Sequence, residues 1–422
     1  MFEFTKRRFL ASALAASSIV AMPAIAADQV TITHYFTGDL GRDALVDIFG
    51  QFQKDSGITV KESPIGHEDF KTGILVRAAG NKLPDVFSYW AGARTQFVVN
   101  SNSLQPIDEM WKSANLDKII AKPIAEGATS YNGKHYLVPF GYHYAGMFYN
   151  KKVLAKAGVK ELPKDWDEFK AMCVKLKAAG VAPIALGSKN RWPAQFWFDY
   201  LLLRTAGPFY RAKLMAGTAS YADPEVEKAM GLWKELIDAG AFDSNPNAYD
   251  WTDAADKVAR GDAAMTLMGT WITGYWKTNN FQPGTDYDFF EFPTITKGVP
   301  QAAVGPVDGL VISANAANKK QAEKLLTFLV TKPEIQAKWA SVQGALSANV
   351  NVSASNYSVV MQHAFNVVKN APAFAFNYDL STPPPVAEVG LSMFAQFIDQ
   401  PASYKKILEQ SQSAASKAFK QQ

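Results

Sequence analysis

Apolar and polar positions alternate from residue 30 to 35, the period of a half-buried strand, and Gly38 and Gly41 end it. From residue 43 to 55 the period lengthens, so that Leu45, Ile48, Phe49 and Phe52 share one helical face. The same alternation of periods then repeats. Strands are expected at 58–62 and 85–89, with a helix at 69–79 between them. A β-α-β-α-β order argues for a mostly parallel sheet covered by helices. In such sheets ligands gather beyond the carboxyl ends of the strands. Those ends carry Phe36, Thr37 and Asp39, then His67 and Asp69, then Trp90.

Past residue 151 helical spacing dominates. Short apolar strands are expected at 183–187, 263–268 and 310–313, and the tail is helical around the break Pro383-Pro384-Pro385. There is no internal repeat and no low-complexity linker, so the domains of this chain are expected to be interleaved. One run resists a simple reading. VPFGYHYAGMFYN, residues 138–150, has strand composition, yet Tyr142-His143-Tyr144 stands in its middle between Gly141 and Gly146. The residues alone leave two readings open: a buried Tyr-His-Tyr packed in one core, or a segment that turns toward a ligand.

Composition narrows the compartment and the chemistry. Lys6-Arg7-Arg8, an uncharged apolar stretch to Met22 and small residues at Ala24 and Ala26 form a secretory signal, 1–26, with cleavage expected after Ala26. Its apolar part, about 14 residues, is shorter than the roughly 20 a spanning helix needs. Lys6 stands where a twin-arginine signal has its first Arg, so the export route stays open. About 400 remaining residues exceed one compact core, and two domains are expected. A formal charge of +4 and no basic run interleaved with aromatics argue against nucleic acid. The single cysteine, Cys173, leaves no internal disulfide and shares a helical face with Phe169, Met172 and Leu176. Five scattered histidines lack metal-ligand spacing, so no metal or cofactor is expected. Aromatics make up 13% of the chain, with ten Trp, clustered where apolar runs end.

At this level of detail the chain resembles the periplasmic solute-binding proteins of ABC importers, in the sugar and oligosaccharide branch that includes maltose-binding protein. The resemblance rests on ordered pieces: VTITHYFTGDLG at 30–41, Pro84-Asp85-Val86 with Tyr89-Trp90-Ala91 and Arg94, and Val138-Pro139 with Phe148-Tyr149-Asn150-Lys151. Further along come Pro163-x-x-Trp166-x-x-Phe169, Trp192-Pro193, Met268-Gly269-Thr270-Trp271, Pro306-x-Asp308-Gly309 and Gly344 to Asn349. The resemblance implies an α/β, two-lobed fold with a ligand cleft between lobes joined by crossing segments. Lobe I is expected at 27–141 plus 312–348, and lobe II at 142–311 plus 349–422. The 138–150 run would then cross between lobes, with Tyr142, His143 and Tyr144 facing ligand.

A pyranose suits such a cleft. Its C–H faces pack on aromatic rings, and its hydroxyls pair with carboxylates, Arg, His and amides. Expected plates are Phe36, Trp90, Tyr142, Trp192 and Trp271. The expected rim is Asp39, Asp69, Arg94, His143, Arg191 and Asp308, with Thr37, His67, Gly309, Tyr378 and Asp379 beside it. His143 stands where maltose-binding protein carries an acidic residue, and Leu40 replaces a basic one. With Arg94, Arg191, His67 and His143 at hand, an acidic or modified sugar or a sugar alcohol stays open. The implied function is a monomeric periplasmic receptor, not membrane-inserted, that hands a carbohydrate to permease subunits served by a cytoplasmic ATPase. The alternatives are a same-fold receptor for polyamine or phosphate and a secreted glycosidase. The glycosidase needs a fixed carboxylate pair that the sequence does not reveal, and no hydrolase motif appears.

Overall fold

The computed structural model describes residues 28–421, so the expected signal peptide lies outside the described residues. β1 (Gln29–His34), β2 (Thr59–Pro64) and β3 (Val86–Trp90) pair in parallel. The helices between them are Asp39–Ser56 and His67–Ala79. The first buries Leu45, Ile48, Phe49 and Phe52, the face their spacing predicts. It stops at Gly57, whose φ of 73° lies in the left-handed region that glycine enters without a Cβ penalty.

The apolar run at 138–150 is two strands. β4 (Leu137–Tyr142) lies at the edge of the first sheet, and β5 (Ala145–Asn150) lies in another. β5, β6 (Ala182–Ile184), β7 (Ala263–Gly269) and β8 (Tyr287–Phe290) form that second sheet, in the order β8-β5-β7-β6. β9 (Val307–Ile312) returns to the first sheet, antiparallel to both β3 and β4, and completes the order β2-β1-β3-β9-β4. Each sheet has its own core. Ile32, Phe87, Leu137, Val311 and Leu329 belong to the first, and Phe148, Trp197, Trp233, Met265 and Phe289 to the second. Among the described residues, no helix is long and apolar enough to cross a membrane.

Two expected boundaries move. Residues 307–311 are expected in lobe II, but β9 is hydrogen-bonded on both sides within the first sheet and packs Val307, Leu310 and Val311 into the first core. The chain has therefore crossed by Val307. Residues 349–357 are also expected in lobe II. Instead Tyr357 packs in the first core, and its hydroxyl accepts the Ser347 N–H at 2.8 Å. The return falls in the helix Val359–Asn370, where Met361 touches the first core and Val360 and Ala364 the second.

The crossings lie side by side. The His143 N–H donates to the Pro306 carbonyl at 3.0 Å, and Tyr142 exchanges two backbone bonds with Leu346. A Cβ on Gly305 would overlap the His143 carbonyl, so that close approach requires glycine.

Candidate functional site

A cleft of about 730 Å³ runs between the lobes, a size ordinary for small-molecule sites. The first lobe builds one wall from its strand ends. Tyr35 stacks on Trp90 with ring centroids 4.3 Å apart and 14° between planes. His67, at the start of its helix, sits edge-on to both, 5.6 Å from Tyr35 and 5.3 Å from Trp90. Phe36 continues the plate, 4.5 Å from Tyr35.

The second lobe faces this wall with Trp192, Phe196 and Trp271. Trp192 and Trp271 lie 5.9 Å apart at 62°. Trp271 folds back over the end of β7, and a Cβ on Gly269 would overlap its ring. The cleft floor is the crossing itself. His143 Nδ1 lies 3.0 Å from Thr270 Oγ1 and 3.1 Å from the Gly344 carbonyl, and its Nε2 lies 3.1 Å from Asp308 Oδ2. The Tyr35 hydroxyl donates to Asp308 Oδ1 at 2.7 Å. Burial, with the Asp308 carboxylate alongside, pushes the Tyr35 phenol well above its ordinary pKa.

The remaining edge comes from the tail. The Asp379 N–H donates to Gln195 Oε1 at 2.8 Å, and its carboxylate accepts from Asn377 Nδ2 at 2.6 Å. The Arg94 Nε–H donates to the Asp379 carbonyl at 3.2 Å, and Arg94 Nη2 lies 3.5 Å from its carboxylate. Behind this edge, the buried Arg211–Asp199 pair clamps the chain: Asp199 accepts the Tyr378 N–H at 2.8 Å, and Arg211 donates to the Phe376 carbonyl at 2.7 Å.

A hydrogen bond joins the walls. The Trp192 indole N–H donates to Glu68 Oε1 at 3.0 Å, across the cleft. Lys71 Nζ lies 3.5 Å from Glu68 Oε2 and 5.7 Å from the Trp192 ring centroid. Burial would raise the Glu68 pKa, but the bonds from His67 and Trp192 and the charge of Lys71 outweigh it and hold the group at about 2. His67 and Lys71 are both lowered, chiefly by burial between the walls.

The structure brings Phe36, Thr37, His67, Asp69 and Trp90 of the first lobe to the cleft together with His143, Trp192, Trp271, Asp308 and Asp379. Other expected residues stand elsewhere. Arg94 is 3% exposed and lies behind Asp379 and beside Trp90, 5.6 Å from its ring, as a support. Arg191 points outward, to Ser392 Oγ at 3.0 Å and Glu388 Oε2 at 2.8 Å, because its φ of 64° turns the chain there. Tyr142, the last residue of β4, packs its ring in the first core, and Tyr144, just before β5, packs in the second, because the chain crosses from one sheet to the other between them. Gly309 lies within β9, where Leu137 fills the space a Cβ would need. Tyr378 is fully buried and bonds the Tyr221 hydroxyl. Asp39 opens its helix, and its side chain lies outside the described residues.

Several cleft residues escaped the sequence reading: Tyr35, Glu68, Lys71, Gln195 and Asn377 among them. Tyr35 adjoined Phe36 at a strand end, and Glu68 and Lys71 are an i,i+3 pair in the first turn of a helix, a visible signal. Gln195 gave none, since its partner lies 184 residues away. Among the described residues, no group of His, Cys, Asp and Glu is arranged to hold a metal ion.

Residues 38–336 match the family model of the bacterial extracellular solute-binding proteins. An uncharacterised ABC transporter extracellular-binding protein of Pyrococcus horikoshii is 30% identical over 345 residues, covering 79% of this chain and 75% of the relative. A probable sugar-binding periplasmic protein of Mesorhizobium japonicum is 26% identical over 372 residues, 87% of each chain. The solved bacterial solute receptor AcbH, whose exclusive preference is β-D-galactopyranose, superposes with a TM-score of 0.85 at 24% identity, over 93% of this chain and 99% of its own. With its two sheets, paired crossings and interlobe cleft, this chain belongs to the family of bacterial extracellular solute-binding proteins.

Proposed function

We propose that the protein is the periplasmic receptor of an ABC importer and captures a mono- or oligosaccharide between its lobes. The observation that carries this reading is the pair of facing aromatic walls, Tyr35–Trp90 and Trp192–Trp271, edged by Asp308, Asp379 and Gln195. Flat rings take the C–H faces of a pyranose, and the planar acceptors take its hydroxyls. The probable sugar-binding relative supports the same class. Lobe I comprises β1 to β4 and β9 with their helices, and lobe II the second sheet with the C-terminal helices. Ligand contacts both lobes only in the closed form and so shifts the population toward it. The closed receptor, a monomer exported by cleavage of its signal, then delivers the sugar to permease subunits powered by a cytoplasmic ATPase. The receptor itself needs no chemistry.

The test is a thermal-shift screen of the mature protein against neutral mono- and oligosaccharides, sugar alcohols, uronic acids, polyamines and phosphate. Selective binding raises the unfolding midpoint by linkage. A rise with one saccharide class is the expected result. A rise only with polyamine or phosphate overturns the saccharide assignment.

A further inference from the structure

We infer that the cleft accepts uncharged and amine-bearing saccharides and turns anionic ones away. The inference rests on the saccharide reading and adds the charge of the ligand.

Five carboxylates line the cleft, from Glu68, Asp69, Asp250, Asp308 and Asp379, against one ammonium, Lys71. The cations expected to balance them do not reach the ligand space. Arg94 is committed to Asp379 from behind. Arg191 faces Glu388 on the outer surface. Lys189 lies 3.4 Å from Asp250 but does not line the cleft. Lys71 itself sits against Glu68. A ligand carboxylate seated on Lys71 would therefore meet Glu68 as well, and like charges at such range repel.

The second observation concerns hydrogen bonding. Asn377 lines the cleft, is 5% exposed, and donates its amide N–H to Asp379 Oδ1 at 2.6 Å. That leaves Asn377 Oδ1 buried with no donor. A buried acceptor without a partner is costly, so a small turn of the Asn377 amide that brings this oxygen to a ligand O–H or N–H gains on binding. Asp69, exposed at the cleft, has no hydrogen-bond or ion-pair partner among the described residues and stays free to meet a ligand donor. Hydroxyls and ammonium groups satisfy such acceptors, and a carboxylate or sulfate has no proton to give them.

The experiment is calorimetric titration of the mature protein with two matched series: glucose, glucosamine and glucuronate, and galactose, galactosamine and galacturonate. Each is run at low and at high salt. In the series that binds, the uronate is expected to bind at least about tenfold more weakly than the neutral sugar. The amine should match or exceed the neutral sugar, and the gaps should narrow with salt. Asp69→Asn and Asp379→Asn keep shape and remove charge. Each should shrink the ratio of neutral to uronate affinity, which steric exclusion of the extra oxygen would not do. A uronate that binds as well as its neutral parent, or a ratio untouched by both variants, overturns the inference. If no member of either series binds but longer neutral saccharides do, the same comparison is made with their uronate-bearing forms. If no saccharide binds at all, the saccharide reading falls and takes this inference with it.

Discussion

The hydrogen bond between Trp192 and Glu68 spans the two aromatic walls, and its removal has a calculable effect. Trp192→Phe keeps a ring against Trp271 and deletes the N–H that donates to Glu68 at 3.0 Å. A hydrogen bond to a charged acceptor contributes roughly 1.5–3 kcal/mol. The Glu68 side chain is 41% exposed, so water replaces part of the lost donor and screening reduces the rest. The loss should therefore fall to about 1 kcal/mol, near a fivefold weaker affinity. Calorimetric titration of wild type, Trp192→Phe, Glu68→Gln and the double variant with the best-binding saccharide completes a cycle. The expected coupling is about 1 kcal/mol, and a coupling below about 0.3 kcal/mol would mean the bond does not hold the closed form. The same carboxylate fixes a pH dependence of stability. Against the upward pull of burial, its pKa is lowered from 4.5 to about 2 in the folded protein, first by His67 and Lys71 on its own helix and last by Trp192. The ionised group therefore stabilises the fold above the higher value, and that share is lost as pH falls through the window between the two. Glu68→Gln should flatten this acid limb.

Three further outcomes follow from the packing. Gly305→Ala forces a Cβ into the His143 carbonyl, so the thermal midpoint should drop and urea unfolding should show a loss of at least about 2 kcal/mol; an unchanged midpoint refutes the close approach. Tyr35→Phe removes the 2.7 Å bond to the buried Asp308 and should cost roughly 1.5–3 kcal/mol in the same assay, while a neutral result would show that His143 alone satisfies that carboxylate. The Cys173 thiol is 5% exposed, and burial pushes its pKa to about 12, so a thiol reagent at mildly alkaline pH should label it only after denaturant is added.

What could be read from the residues was local. The strand at 30–35 and the helical face of Leu45, Ile48, Phe49 and Phe52 are both seen, but Ile32 to Tyr35 are all buried and not half-buried, because β1 lies inside the sheet between β2 and β3. Aromatics at the ends of apolar runs led to Phe36, Trp90, Trp192 and Trp271, because a strand end meets a loop and not the core. The strand β9 was readable as a strand but not as a member of the first sheet, since its apolar pattern suits burial in either core. Side-chain direction was equally hidden. Arg191 and Arg94 are both cations beside a cleft aromatic, yet one turns outward through a left-handed backbone and the other is held behind Asp379. The Asp379 corner depends on Gln195, Arg94 and the Asp199–Arg211 pair, groups brought together only by the tertiary fold. No local period encodes such a meeting.

Capture between the two walls is decided by a calorimetric titration of the mature protein and its Trp271→Ala variant with the saccharide that most raises the thermal midpoint. One site per chain is expected in the wild type, and at least about a tenfold weaker affinity in a variant that still unfolds cooperatively. Binding that is unchanged by loss of Trp271 would contradict capture between these walls.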